Sequence, residues 1–193
     1  MTSTQPNGLD HILLGAASLE QGMAAFEETT GEKPLRGGHH PNAGTENALV
    51  SLGDGSYLEI IAPRAGSPTG DEFLDSMRSL NGLSIVGWAI HVSDAESARR
   101  RLERAGFPMT PPKPGSRVTP AGQTLEWVTF EPASSAIENA PFFIRWGDNT
   151  AHPSLTSPKG CTLESFEVSG PVERLTSIVN GSIKHLPVRY DTT

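Results

Sequence analysis

Three helix caps set the plan of this chain. Ser18, Asp94 and Ser169 lie 76 and 75 residues apart, and each follows an apolar run. A Ser or Asp at such a place accepts a hydrogen bond from a first-turn backbone N–H that would otherwise lack a partner. Leu9–Ala16 reads as the strand before Ser18, and Gln21 completes a capping-box pattern. Leu19, Met23 and Phe26 then recur at helical spacing until Gly31. Ile85–Val92 is the strand before Asp94, and Ala95, Ala98 and Leu102 form a helix face that ends at Ala105-Gly106. Thr162–Val168 is a third such strand, with Ser169 or Gly170 as cap, Pro171 at a first helical position, and Val172, Leu175 and Ile178 on one face. A strand, cap and helix that return at a near-constant interval mark an internal repeat.

Between the first two caps, Gly37–Pro63 reads as a loop, a strand, the tight turn Gly53-Asp54-Gly55 and a second strand. Ala48–Leu52 and Tyr57–Ala62 are the apolar runs that flank the turn. Arg64–Gly70 reads as a loop and Asp71–Leu80 as a short amphipathic helix. In the second half, Met109–Gly122 reads as a loop, and Thr124–Phe130 and Pro141–Trp146 as strands. The expected class is α+β, built from paired βαβββ modules with an additional C-terminal strand and helix. The expected division is one domain, 1–193, with module one at 9–63, a linker helix at 71–80, module two at 85–148 and a partial third repeat at 161–180.

Composition closes off several functions. A net charge of −7 argues against nucleic acid and anionic membrane as partners. No apolar run reaches the length of a membrane span, and the N-terminal MTSTQPNG has neither the basic nor the apolar part of a secretory signal. Cys161 is the one cysteine, so an internal disulfide and a CxxC metal site are both excluded, and a reducing cytoplasm is the expected compartment. No GxGxxG, GxxxxGK or GxSxG pattern occurs.

Local motifs sharpen this outline. They are Leu9-Asp10-His11, Gly37-Gly38-His39-His40-Pro41, Gly44-Thr45-Glu46-Asn47 and Tyr57-Leu58-Glu59 in the first half. In the second half they are Gly87-Trp88-Ala89, Gly115-Ser116-Arg117, Trp127, Pro141–Trp146 (PFFIRW) and His152-Pro153. With the βαβββ repeat, they resemble the vicinal-oxygen-chelate superfamily of glyoxalases, bleomycin and fosfomycin resistance proteins and extradiol dioxygenases, and within it the glyoxalase-like domain proteins. The resemblance implies two curved half-barrel sheets around one cavity, and a homodimer through edge strands. It also implies a divalent metal (Zn, Fe, Mn or Ni) held by a His on the first strand and a Glu on the fourth. His11 and Glu59 stand at those positions. The second module departs from the pattern. Aligning Asp94 with Ser18 puts Gly87 opposite His11, and PFFIRW is set against SYLEII with Arg145 taken as the counterpart of Glu59.

Each candidate residue carries two readings. His11 is a metal or acid–base partner of Glu59, or a core histidine with a satisfied hydrogen bond. His91, four residues beyond Gly87 on the same strand face, completes a metal triad or lines the cavity wall. His40 is a ligand, a general base or a loop cap, and His39 beside it should point into solvent. Asn47 donates to a substrate oxygen or stabilises its turn. Arg117 and Arg145 are the anion readers, since a guanidinium fork matches a carboxylate; Arg145 alternatively pairs with Glu59 or Glu126. His152, in a loop, contacts substrate or is an exposed bystander. Trp88, Trp127, Trp146 and Cys161 read as core.

Two functions follow. One is a small-molecule enzyme, metal-dependent through His11 and Glu59, doing isomerase, lyase or dioxygenase-like chemistry on an oxygenated, anionic substrate, with His40, His91 or Glu59 moving the proton. The other is a metal-free binding or sequestering protein with the same cavity.

Overall fold

A computed structural model describes residues 8–133, 137–169, 172–180 and 188–191. Module one runs β1 (Leu9–Gly15), α1 (Leu19–Thr30), β2 (Leu35–His40), β3 (Thr45–Ser51) and β4 (Tyr57–Pro63). A short helix, α2 (Glu72–Arg78), leads to module two. That module runs β5 (Ser84–His91), α3 (Ala95–Arg104), β6 (Lys113–Val118), β7 (Thr124–Phe130) and β8 (Phe142–Trp146). After it come α4 (Pro153–Thr156), β9 (Phe166–Ser169), α5 (Glu173–Asn180) and β10 (Val188–Asp191).

The caps act as the repeat predicts. Ser18 is extended, at φ −144° and ψ 154°, and accepts from the Gln21 backbone N–H; Asp94 does the same for Ser97 at 2.9 Å. Gly31 closes α1 in the left-handed conformation, at φ 74°. Between modules the two half-sheets join. The order β1-β4-β3-β2-β6-β7-β8-β5 closes into one barrel, sealed by β1 against β5 and by β2 against β6. Closure leaves no free edge in these eight strands.

Two stretches read as loops from the sequence hold strands: Gly37-Gly38 lies in β2, and Lys113–Val118, within Met109–Gly122, is β6. Glycine and proline disguise them, but the glycines mark close backbone approach. Gly38 has φ 130°, and a Cβ there would strike the carbonyl of Val118 across the β2–β6 seam. A Cβ at Gly115 would lie 2.6 Å from Trp127 Cε2. The third strand is shorter than Thr162–Val168, covering Phe166–Ser169 and pairing in parallel with β10. Gly170 and Pro171, expected at the third cap, lie outside the described residues. Cys161 is partly buried and belongs to no strand.

Alternation divides the barrel strands between two apolar regions. Ala48, Val50, Ile60 and Ala62 point outward and pack beneath Leu19 and Phe26 of α1. Trp88, Ile90, Phe130 and Phe143 point outward in module two, beneath Ala98 and Leu102 of α3 and Val172 and Leu175 near α5. The opposite faces of the same strands look into the barrel. That is why β3 and β4 are buried almost throughout rather than alternately. Among the described residues no helix is long and apolar enough to cross a membrane.

Candidate functional site

The barrel interior holds a cavity of about 350 Å3. Module one contributes His11, Leu13, His40, Asn47, Tyr57 and Glu59, and module two contributes Arg117, Trp127, Phe142, Ile144 and Trp146. A larger cavity of about 790 Å3 lies against β5, β9 and the segment around Asn139. Its described walls carry Glu131, Glu138 and Glu167 but no histidine or arginine, so acid–base chemistry gathers inside the barrel.

Glu59 is the centre of the cavity. It alternates inward between Leu58 and Ile60 and is 6% exposed. Asn47 Nδ2 donates to its Oε1 at 2.9 Å. His11 Nε2 lies 3.5 Å from its Oε2, and His40 Nε2 lies 3.8 Å from its Oε1. His40 Nδ1 meets the Thr45 hydroxyl at 2.8 Å. Burial, opposed by Glu59 and aided by Arg117, holds the His40 pKa below the ordinary imidazole value, which favours a neutral ring. Tyr57 stacks on His11 with ring centroids 4.6 Å apart. Its phenol is pushed well up by burial and by the Glu59 and Asp10 charges, so it stays protonated.

Behind His11 stands Asp10, which the motif Leu9-Asp10-His11 contains but which carried no expected role. Leu9 pairs with Ile90 and His11 with Ala89, so β1 has one residue more than β5 at this point. Such a bulge re-aims a side chain, and Asp10, 2% exposed, becomes a buried hub. His11 Nδ1 sits 2.7 Å from Asp10 Oδ1. Trp146 Nε1 donates to Oδ2 at 3.0 Å, and His152 Nε2 lies 3.2 Å from the same oxygen. His91 Nδ1 is 3.4 Å from it, without the alignment of a hydrogen bond. Burial alone would raise the Asp10 pKa. The hydrogen bonds from His11 and His152, with His91 close by, outweigh it and hold the carboxyl well below the usual carboxylate value. Asp10 is therefore an acceptor, and His11 donates to it through Nδ1, which leaves Nε2 toward Glu59. The second ring nitrogen of His11 then faces a carboxylate oxygen at 3.5 Å, an arrangement that suits a proton or a cation between them.

That donor pair suits two ligands of a divalent metal. Among the described residues, however, no three His, Cys, Asp or Glu side chains are grouped to hold one. His91 does not supply the third, because its ring nitrogen faces Asp10 rather than Glu59. His152 is likewise no exposed loop residue. It is 5% exposed, bonds Asp10 and the Ser154 hydroxyl, and stands behind the cavity wall.

The two arginines part company. Arg117 is 4% exposed and lines the cavity. Its Nη1 reaches Asn47 Oδ1 only at 3.5 Å, and its buried Nε has no partner. Arg145 does not face His11 and Glu59 as expected. Phe142, Ile144 and Trp146 hold the inward positions of β8, so Arg145 points outward, where it pairs with Asp148 at 2.5 Å. The expected partners Glu59 and Glu126 are not involved. Trp127 and Trp146, expected as core, also line the barrel cavity, whereas Trp88 packs in the core of module two and borders the larger cavity outside the barrel. His39 lies with Arg36 on a separate small cavity.

The sequence model of the glyoxalase-like domain family matches residues 9–179. Among solved structures, a hypothetical protein from Staphylococcus aureus superposes with a TM-score of 0.64 at 18% identity, covering 87% of this chain and 71% of that one. Methylmalonyl-CoA epimerase from Mycobacterium tuberculosis gives a TM-score of 0.50 at 20% identity, covering 81% and 95%. A variant of the Streptomyces coelicolor methylmalonyl-CoA epimerase, in complex with 2-nitronate-propionyl-CoA, gives 0.52 at 16%, covering 75% and 98%. At these identities the likeness shows the fold. No curated protein sequence matches the chain.

Proposed function

The chain belongs to the glyoxalase-like domain family, and from that premise we propose that it is a small-molecule enzyme that moves a proton on an anionic, oxygenated substrate. The observation that carries this reading is the division of charge in the cavity. A buried carboxylate, Glu59, faces two imidazoles, while a buried guanidinium, Arg117, has an unpartnered Nε. A substrate carboxylate would seat on Arg117. Its apolar body would lie against Trp127, Phe142 and Ile144. Glu59, fixed by Asn47, would take a proton from the carbon next to a carbonyl, the C–H electron pair would pass to the carbonyl oxygen, and neutral His40 would donate a hydrogen bond to that oxygen. Isomerisation and elimination both begin with such a step.

A divalent metal bound here would be held by His11 and Glu59 and would supply Lewis-acid stabilisation of a developing oxyanion. The absence of a grouped third ligand among the described residues favours a second reading, a metal-free binding protein with the same cavity. Solvent exchange separates the two. Proton NMR in D2O should show the wild-type protein speeding deuterium uptake at C3 of pyruvate or phenylpyruvate. Glu59→Gln should slow that uptake by about a hundredfold or more, the usual contribution of a positioned base. Binding of these acids with no exchange above the buffer rate would establish the binding protein instead. Elemental analysis of untagged protein would report the metal.

A further inference from the structure

Asn47 stands between the two opposite charges of the cavity. It is 1% exposed. Its Nδ2 donates to Glu59 Oε1 at 2.9 Å, and its Oδ1 faces Arg117 Nη1 at 3.5 Å. A side-chain amide can do both, because it carries a donor at one end and an acceptor at the other. Opposite charges buried together otherwise attract strongly, since each is costly alone. Yet among the described residues no carboxylate lies within the 4.0 Å of an ion pair from Arg117. Space for this arrangement comes from Gly37 on β2. A Cβ there would press on Asn47 Oδ1 and lie 2.6 Å from Arg117 Nη1.

We infer that Asn47 is a positioning residue, an amide spacer that keeps Arg117 from closing onto Glu59 and so holds the guanidinium open as a seat for a ligand's carboxylate. The inference deepens the proposed function and rests on it for the ligand, but the spacer itself can be tested without one. If Arg117 paired with Glu59, the anion seat would be neutralised and the base occupied in one step. The spacer keeps both available and sets them a fixed distance apart. The ligand class that fits is an acid whose carboxylate and reacting carbon are separate groups of one small molecule.

NMR of arginine 15Nε–1H groups follows Arg117 directly in the ligand-free protein. Asn47→Ala should move the Arg117 Nε signal, and Asn47→Ala with Glu59→Gln should return it toward its wild-type position. Should Asn47→Ala fail to fold, Asn47→Asp is nearly equal in volume and should displace the same signal by pairing with Arg117 itself. An unmoved signal in the variant that folds overturns the spacer. Calorimetry adds the ligand. Asn47→Ala should weaken phenylacetate binding by about tenfold or more in the wild-type background, and by less than about threefold in the Glu59→Gln background. Equal losses in both backgrounds would mean that Asn47 touches the ligand itself, which also overturns the spacer. A wild-type protein that binds no phenylacetate would contradict the proposed function, while the Nε signal would still decide the role of Asn47.

Discussion

Asp10→Ala should destabilise the protein by about 3–5 kcal/mol, the usual effect of removing one partner from a buried charged cluster. The carboxylate accepts from His11 and Trp146 and lies 3.2 Å from His152 Nε2. Its loss leaves these groups without their acceptor in a site buried from solvent. Denaturant unfolding measures the effect, and a loss below about 1 kcal/mol would show that the cluster is not held by this charge. The pH dependence has a defined sign. The folded-state pKa of Asp10 is depressed well below the ordinary aspartate value of 3.8. Its contribution is therefore fully present above that value and is lost as pH falls through the folded pKa. Wild type should lose stability in acid more steeply than Asp10→Asn, which has no proton to gain at this position.

Arg117→Met should weaken binding of a small carboxylate by about 1.5–3 kcal/mol, roughly ten- to a hundredfold. Stability should hold or rise, because a buried cation with an unpartnered Nε gives way to an apolar side chain of similar length. This pattern is the reverse of that expected at Asp10. Calorimetric titration with phenylacetate, together with thermal unfolding, reads both quantities. Arg145→Met is the control. Arg145 lies outside the cavity and pairs with Asp148, whose side chain is 83% exposed, so neither quantity should change by more than about 0.5 kcal/mol. Equal effects at Arg117 and Arg145 would remove Arg117 from the site.

Several of these features were legible in the sequence. The caps Ser18 and Asp94 gave the repeat, and the repeat gave the paired modules. The resemblance set His11 and Glu59 toward a shared cavity, and both line the barrel interior. The strands β2 and β6 were hidden because their residues have poor strand propensity. Their glycines serve the seam between modules and the indole of Trp127, contacts that are remote in sequence. Asp10 was hidden by a bulge, which local alternation cannot anticipate. Arg145 was misplaced because an alignment by motif set β8 against β4 one residue out of phase. A slip of one residue carries every side chain of a strand to the opposite face. The roles of His91 and His152 depended on Asp10, so both were read without the carboxylate that binds them together.

The most direct test of the cavity as an anion site compares two ligands that differ in charge and little else. Trp127 and Trp146 line the cavity and report occupancy through their fluorescence. Phenylacetate should change that fluorescence saturably, and phenylacetamide should bind at least about tenfold more weakly, the share expected of one charged hydrogen bond to Arg117. Equal affinity for acid and amide, or a preference for the amide, would contradict an anion seat at Arg117.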